Sequence, residues 1–133
     1  MTCAELFIDG MMPGLNDWRD AIHKSPHAGN AMTREQVRRV ETAARVQMLP
    51  HFEGRVDLFF LWTEPNMRRD PDNIEGAGVK FILDGLVRAG VLDDDGPRYV
   101  GRISHDVAYD PLNVGVAVFM TDERLTKGEP DGA

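Results

Sequence analysis

The sequence predicts an α+β domain: a small mixed β-sheet with two main helices packed on it, in the order β-α-β-α-β-β. Three observations lead there. Two long stretches repeat apolar residues at helical spacing behind capping signals. Short runs rich in Val, Leu, Phe and Trp stand between and around them. The chain then closes on two strand-like runs in succession, which a strictly alternating α/β order would not do. A length of 133 residues predicts one domain over 1–133, large enough to bury a core without disulfides or metals as staples.

Taken in order, Ala4 to Ile8 reads as a short strand. The Gly- and Pro-containing segment Gly10-Met-Met-Pro-Gly-Leu-Asn-Asp17 breaks it. A helical turn is expected from Asp17 to His23, and a polar loop from Lys24 to Asn30. Thr33 to Met48 predicts the first long helix, because Thr33 and Gln36 have capping-box spacing and Val37, Val40, Ala44 and Met48 form an apolar stripe. Pro50 stops it. Arg34, Arg38, Glu41 and Arg45 occupy a different face, to be read either as a solvated surface or as a phosphate-contacting one. Arg55 to Thr63 reads as a largely buried strand, and Glu64 to Arg69 as its polar exit. The second long helix is expected from Asn73 to Ala89, with Asp72 as N-cap, Glu75 completing the box and Gly90 as C-terminal cap. Its apolar face is Ile74, Ala77, Phe81, Leu86 and Ala89. Arg98 to Ala108 and Val114 to Met120 read as two strands joined as a hairpin through Asp110-Pro-Leu-Asn113. From about residue 121 the chain is polar and reads as a flexible tail.

Composition excludes several classes. With Cys3 as the one cysteine, there is no internal disulfide and no cysteine-rich zinc site. The start carries Glu5 and Asp9 and lacks a basic, then apolar, leader, so a cytoplasmic protein is expected. The longest apolar run, near Val56 to Trp62, is too short to span a bilayer, so no membrane association is expected. The net charge of −7 argues against a nucleic-acid binder at first sight. Six acids in one region, Asp70, Asp72, Asp84, Asp93, Asp94 and Asp95, account for all but one of those seven charges. Bound divalent cations would reverse the field of such a cluster.

The chemistry-bearing stretch is Arg68-Arg-Asp-Pro-Asp-Asn73. Pro71 pushes Asp70 toward an extended conformation, and in an extended segment side chains two apart point the same way. Asp70 and Asp72 are thereby expected to converge, and two converging carboxylates call for a shared proton or a cation. Mg²⁺, a hard ion that takes one or two carboxylates plus substrate phosphate, suits them. Asp94 or Asp95, beyond the helix, would supply a third acid. Lys80 falls two turns after Asn73 on the same face, where an ammonium can stabilise charge developing on a phosphate. Each residue also has a plainer reading: Asp72 as a helix cap, Asp93 to Asp95 as an acidic turn, and Lys80 in an i,i+4 ion pair with Asp84.

The combined pattern Arg69-Asp-Pro-Asp-Asn73, Lys80-Phe-Ile-Leu-Asp-Gly-Leu86, Ala89-Gly-Val91 and Asp94-Asp95 resembles the RusA family of Holliday junction resolvases, of the kind carried by phages and prophages. The earlier Pro13-Gly-Leu-Asn16 is similar to that family's Pro-x-x-Asn loop. One extra helical turn, Gly76 to Val79, separates this chain from the family's founding member. The resemblance implies a RusA-like fold and a homodimer that nicks opposed strands of a four-way junction. It implies Mg²⁺ as cofactor, replaceable by Mn²⁺, with no small-molecule cofactor. Asp70, Asp72 and Asp95 would be metal-binding catalytic residues, with Asp94 as the alternative third ligand, and Lys80 would be the functional lysine. Arg69 would contact DNA beside the site. Arg68, Arg34, Arg38 and Arg45 complete the expected DNA-binding set. Two other classes are weighed against this one. A nucleotide phosphohydrolase would use similar acids, but the Glu-rich helical ligand pairs it usually requires are absent. A non-catalytic branched-DNA binder would have no reason to concentrate negative charge near phosphate.

Overall fold

The computed structural model describes residues 1–122. The elements are β1 (Cys3–Asp9), α1 (Leu15–Lys24), α2 (Pro26–Val46), β2 (Val56–Glu64), α3 (Pro71–Arg88), β3 (Val100–Tyr109) and β4 (Gly115–Thr121). The four strands form one mixed sheet in the order β1-β4-β2-β3. β4 runs antiparallel to β1 and β2, while β3 runs parallel to β2 at the edge. The fold is α+β, a small mixed sheet packed with helices, as the element pattern predicts. Among the described residues no helix is long and apolar enough to cross a membrane.

Alternation along the strands builds the core. In β2, Val56, Leu58, Phe60 and Trp62 are buried, as are Leu6 and Ile8 of β1 and Val116, Val118 and Met120 of β4. Val40 and Ala44 of α2 and Ile74, Ala77, Phe81, Ile82 and Leu86 of α3 pack against them. Glycine makes one helix crossing close. A Cβ on Gly85 would stand 2.4 Å from the Val40 Cβ and 3.1 Å from the Val37 carbonyl oxygen, so α2 and α3 approach there at near backbone contact.

Several expectations are corrected. α2 begins at Pro26, not Thr33: Ser25 is its N-cap, accepting from the Ala28 N–H at 3.0 Å, and Pro26 takes the first helical position. Thr33 lies inside the helix and donates to the Gly29 carbonyl, while the Trp18 indole N–H donates to its hydroxyl. The expected turn at 17–23 is a full helix, so three helices are present among the described residues, and Met48 is exposed beyond the end of α2 with φ at 56°. α3 starts two residues early, with Asp70 rather than Asp72 at the N-cap and Pro71 at the first helical position. Gly90, with φ at 78°, follows its end as expected. β3 and β4 do not form a hairpin, because β2 lies between them. The 110–114 connection passes the end of β2, where the Asp110 N–H donates to the Glu64 carbonyl. Thr121 belongs to β4, and the Asp122 N–H donates to the Thr2 carbonyl; the rest of the expected tail lies outside the described residues.

Candidate functional site

α2 and α3 lie side by side, and the loop after α3 folds back beside the latter. Together they enclose an open cavity of about 460 Å³. Arg34 and Arg38 of α2 line one wall, Lys80 and Asp84 of α3 the other, and Asp94 and Asp95 close it. The Lys80 ammonium stands between two carboxylates, 2.5 Å from Asp95 and 3.0 Å from Asp84. The plainer reading of Lys80, an i,i+4 pair with Asp84, is present in the fold, and the same ammonium also contacts the distal acid Asp95. The hydrogen bond from Lys80, more than the residual attraction between the charges, holds the Asp95 carboxyl below its ordinary range. The same bond, reinforced by that to Asp84, raises the lysine.

The remaining sequence-predicted residues are dispersed. Asp70 and Asp72 are exposed at the start of α3. Only Asp70 is extended, with φ −71° and ψ 151°, since the helix already begins at Pro71; the two are not strand neighbours on one face. Lys80 lies eight residues beyond Asp72, about 12 Å along the helix axis. Carboxylate oxygen is the right donor chemistry for a hard divalent cation. Among the described residues no three His, Cys, Asp or Glu side chains gather as a metal-holding group, and the Lys80 ammonium pairs with Asp95. As the side chains stand, Asp70, Asp72 and Asp95 do not form one site.

The arginines sort by direction. Arg34, Arg38 and Arg68 are exposed, the first two on the cavity. Arg45 is exposed but engaged, pairing with Glu41 at 2.9 Å and donating to the Arg88 carbonyl at the end of α3. The two arginines on Glu41, Arg45 first and Arg88 second, hold that carboxyl below its ordinary range. Arg69 turns inward. Its side chain is 15% exposed, and the guanidinium grips Glu64 with both Nε and Nη2, at 2.8 and 3.0 Å.

Two residues near the cavity and the α3 start, Arg88 and Glu64, carried no site signal in the sequence, and Asn73, inside the Arg69-to-Asn73 pattern, was assigned no role of its own there. Arg88 lines the cavity, and its position at the end of a helix gave no hint of that. Glu64 ends β2 and is almost fully buried; only its partner five residues on explains why a carboxylate can be there. Asn73 accepts a hydrogen bond from the Asn16 N–H at 2.8 Å, tying α3 to the first turn of α1, where the Pro13-Gly-Leu-Asn16 segment ends. No family model matches the chain, and no curated protein matches it.

Proposed function

We propose that this chain is a structure-selective endodeoxyribonuclease that resolves Holliday junctions and related branched DNA by paired nicks, as a homodimer, in a reaction that requires Mg²⁺ and accepts Mn²⁺. The observation that carries this reading is the ordered pattern from Arg69 to Asp95 in a chain whose Lys80 and Asp95 share a cavity with Arg34 and Arg38. The two α2 arginines would hold DNA phosphates, since charge-assisted contacts to the backbone supply most of the affinity and set the register. Lys80 would offer its ammonium to the negative charge that builds on the attacked phosphate. Asp70 and Asp72, exposed and acidic, would contribute carboxylate oxygens to the reaction rather than to folding.

Cleavage of a synthetic four-way junction, with and without Mg²⁺, tests the proposal. Asp70→Asn and Asp72→Asn are each expected to abolish nicking while junction binding stays the same or tightens, because a lost carboxylate repels phosphate less. Folded variants that lose binding would count against this placement. Sedimentation that finds only monomer at micromolar concentration, free and on DNA, would remove the paired-nick mechanism. A second reading, a non-catalytic branched-DNA binder, is favoured by one observation: Lys80 is already paired with both Asp84 and Asp95. Junction binding with no nicking under any divalent cation would select it.

A further inference from the structure

The sequence Arg69-Asp-Pro-Asp-Asn73 has an internal asymmetry. Its first and last residues face into the fold, and the two aspartates between them face solvent. Arg69, whose Nη1 also stands 3.9 Å from the Asp17 carboxylate of α1, donates to three acceptors. Two are the carboxylate oxygens of Glu64, whose side chain is 5% exposed and whose carbonyl is fixed to the Asp110 N–H at the end of the sheet. The third is the Met12 carbonyl, which accepts from Nη1 at 3.0 Å in the loop after β1. The loop is also drawn in at Gly14, where an added Cβ would lie 2.6 Å from the Asn73 Oδ1 and 3.0 Å from the Arg69 Nη1. Arg69 and Asn73 thus pin both ends of a short arch, and the arch carries Asp70 and Asp72.

We propose that Glu64 and Arg69 are a positioning pair that sets the start of α3, and that Arg69 acts through Glu64 rather than by touching DNA. A guanidinium that meets both oxygens of a buried carboxylate and a main-chain carbonyl is oriented by the fold. Moving it to a phosphate would leave Glu64 buried without its partner, which is the unfavourable half of breaking such a pair. The lysine alternative distinguishes the roles. A phosphate contact tolerates an ammonium in place of a guanidinium far better than a bidentate clamp does. The inference deepens the endonuclease reading and rests on it only for the catalytic half of the test.

The first measurement does not involve DNA. Amide hydrogen exchange is followed in the full chain for wild type, Glu64→Gln, Arg69→Gln, Arg69→Lys and the Glu64→Gln/Arg69→Gln double variant. Each single variant is expected to speed exchange at residues 74–77, the first amides of α3 with helical acceptors, tenfold or more, with the amides of β2 and β4 unchanged as the check on folding. The double variant should be no faster than either single one, because the partners act as a unit. Unchanged exchange at 74–77 in Glu64→Gln overturns the proposal. The second measurement is junction binding across a salt series, with cleavage in Mg²⁺. The expected result is a tenfold or larger fall in kcat for Glu64→Gln and Arg69→Lys alike, with the dissociation constant and its salt dependence unchanged. If Arg69→Gln weakens binding and lowers the salt slope by about one while Arg69→Lys and Glu64→Gln are silent, Arg69 is a DNA contact and the proposal fails. A wild-type protein that neither binds nor nicks the junction would refute the endonuclease reading alone, leaving the exchange measurement to decide the positioning pair.

Discussion

Three arginines show what a residue's identity does and does not disclose. Arg38, Arg39 and Arg45 sit on one helix, yet Arg38 lines the open cavity, Arg45 serves Glu41 and the end of α3, and Arg39 donates to the Asp9 and Met11 carbonyls beyond β1. A long side chain can reach any of these, so the sequence separates such roles only once neighbouring segments are placed. Lys80 is the opposite case, since its spacing to Asp84 announced an ion pair that the fold contains. The Lys80–Asp95 bond fixes a pH dependence of definite sign. Asp95 is held low, so its contribution to stability is complete above the ordinary aspartate range and is lost as pH falls through its lowered value. Lys80 is held high, so its contribution is complete below the ordinary lysine range and is lost as pH rises through its raised value. The pair is therefore intact across the neutral range. Lys80→Gln should move the Asp95 carboxyl upward toward its ordinary range, measured by carboxyl carbon NMR titration. An unmoved Asp95 would mean that the bond is not formed in solution.

Element boundaries were legible where one cap signal stood alone and misplaced where two competed. Thr33 and Gln36 have the spacing of a capping box, but Ser25 followed by Pro26 is an equally sound start, and the second one wins. Gly29 and Asn30 suggested a loop in between. In the fold Gly29 is where α1 and α2 touch, an added Cβ there standing 2.4 Å from the Ile22 Cγ1, and tertiary packing outweighs the poor helix propensity of glycine. Strand pairing was illegible for a related reason. Alternation specifies which face of β4 is buried, and β3 at the sheet edge has no such buried face, but neither pattern says which strand lies beside which, so two consecutive strands read as a hairpin although β2 separates them. The α2 start carries its own prediction. Ser25→Ala removes the acceptor of the Ala28 N–H and should cost about 1 kcal/mol of unfolding free energy. Urea denaturation followed by circular dichroism measures this, and an unchanged midpoint would mean that the Ser25 cap does not hold the helix.

At the scale of the whole molecule, the sequence placed the acids in a single stretch and the fold divides them. Asp70 and Asp72 stand at one end of α3, while the loop after α3 brings Asp94 and Asp95 against arginines of α2 some sixty residues earlier in the chain. That second meeting has no local signature, because it depends on α2 and α3 packing side by side. The same loop resolves the run of three aspartates. In a simple extended strand, Asp93 and Asp95 would point the same way. Here the chain bends, and Asp93 turns to the His51 imidazole at 2.9 Å while Asp95 turns to Lys80. Asp93 and His51 are both about half exposed, and an exposed pair of that kind contributes roughly 0–1 kcal/mol, so Asp93→Asn should leave both stability and activity nearly unchanged. Asp95 is the acid that touches Lys80 inside the cavity, and under the endonuclease proposal Asp95→Asn should cost several orders of magnitude in nicking, the scale of losing metal-assisted activation. Asp94 lines the cavity without a partner on Lys80, and Asp94→Asn should fall between the two. The three variants are compared by four-way-junction cleavage at saturating Mg²⁺, after circular dichroism has confirmed each fold. A dead Asp94→Asn beside an active Asp95→Asn would transfer the role by one residue. Full activity in all three would remove this loop from the chemistry and leave Asp84, the other acid on Lys80, as the acid to substitute next.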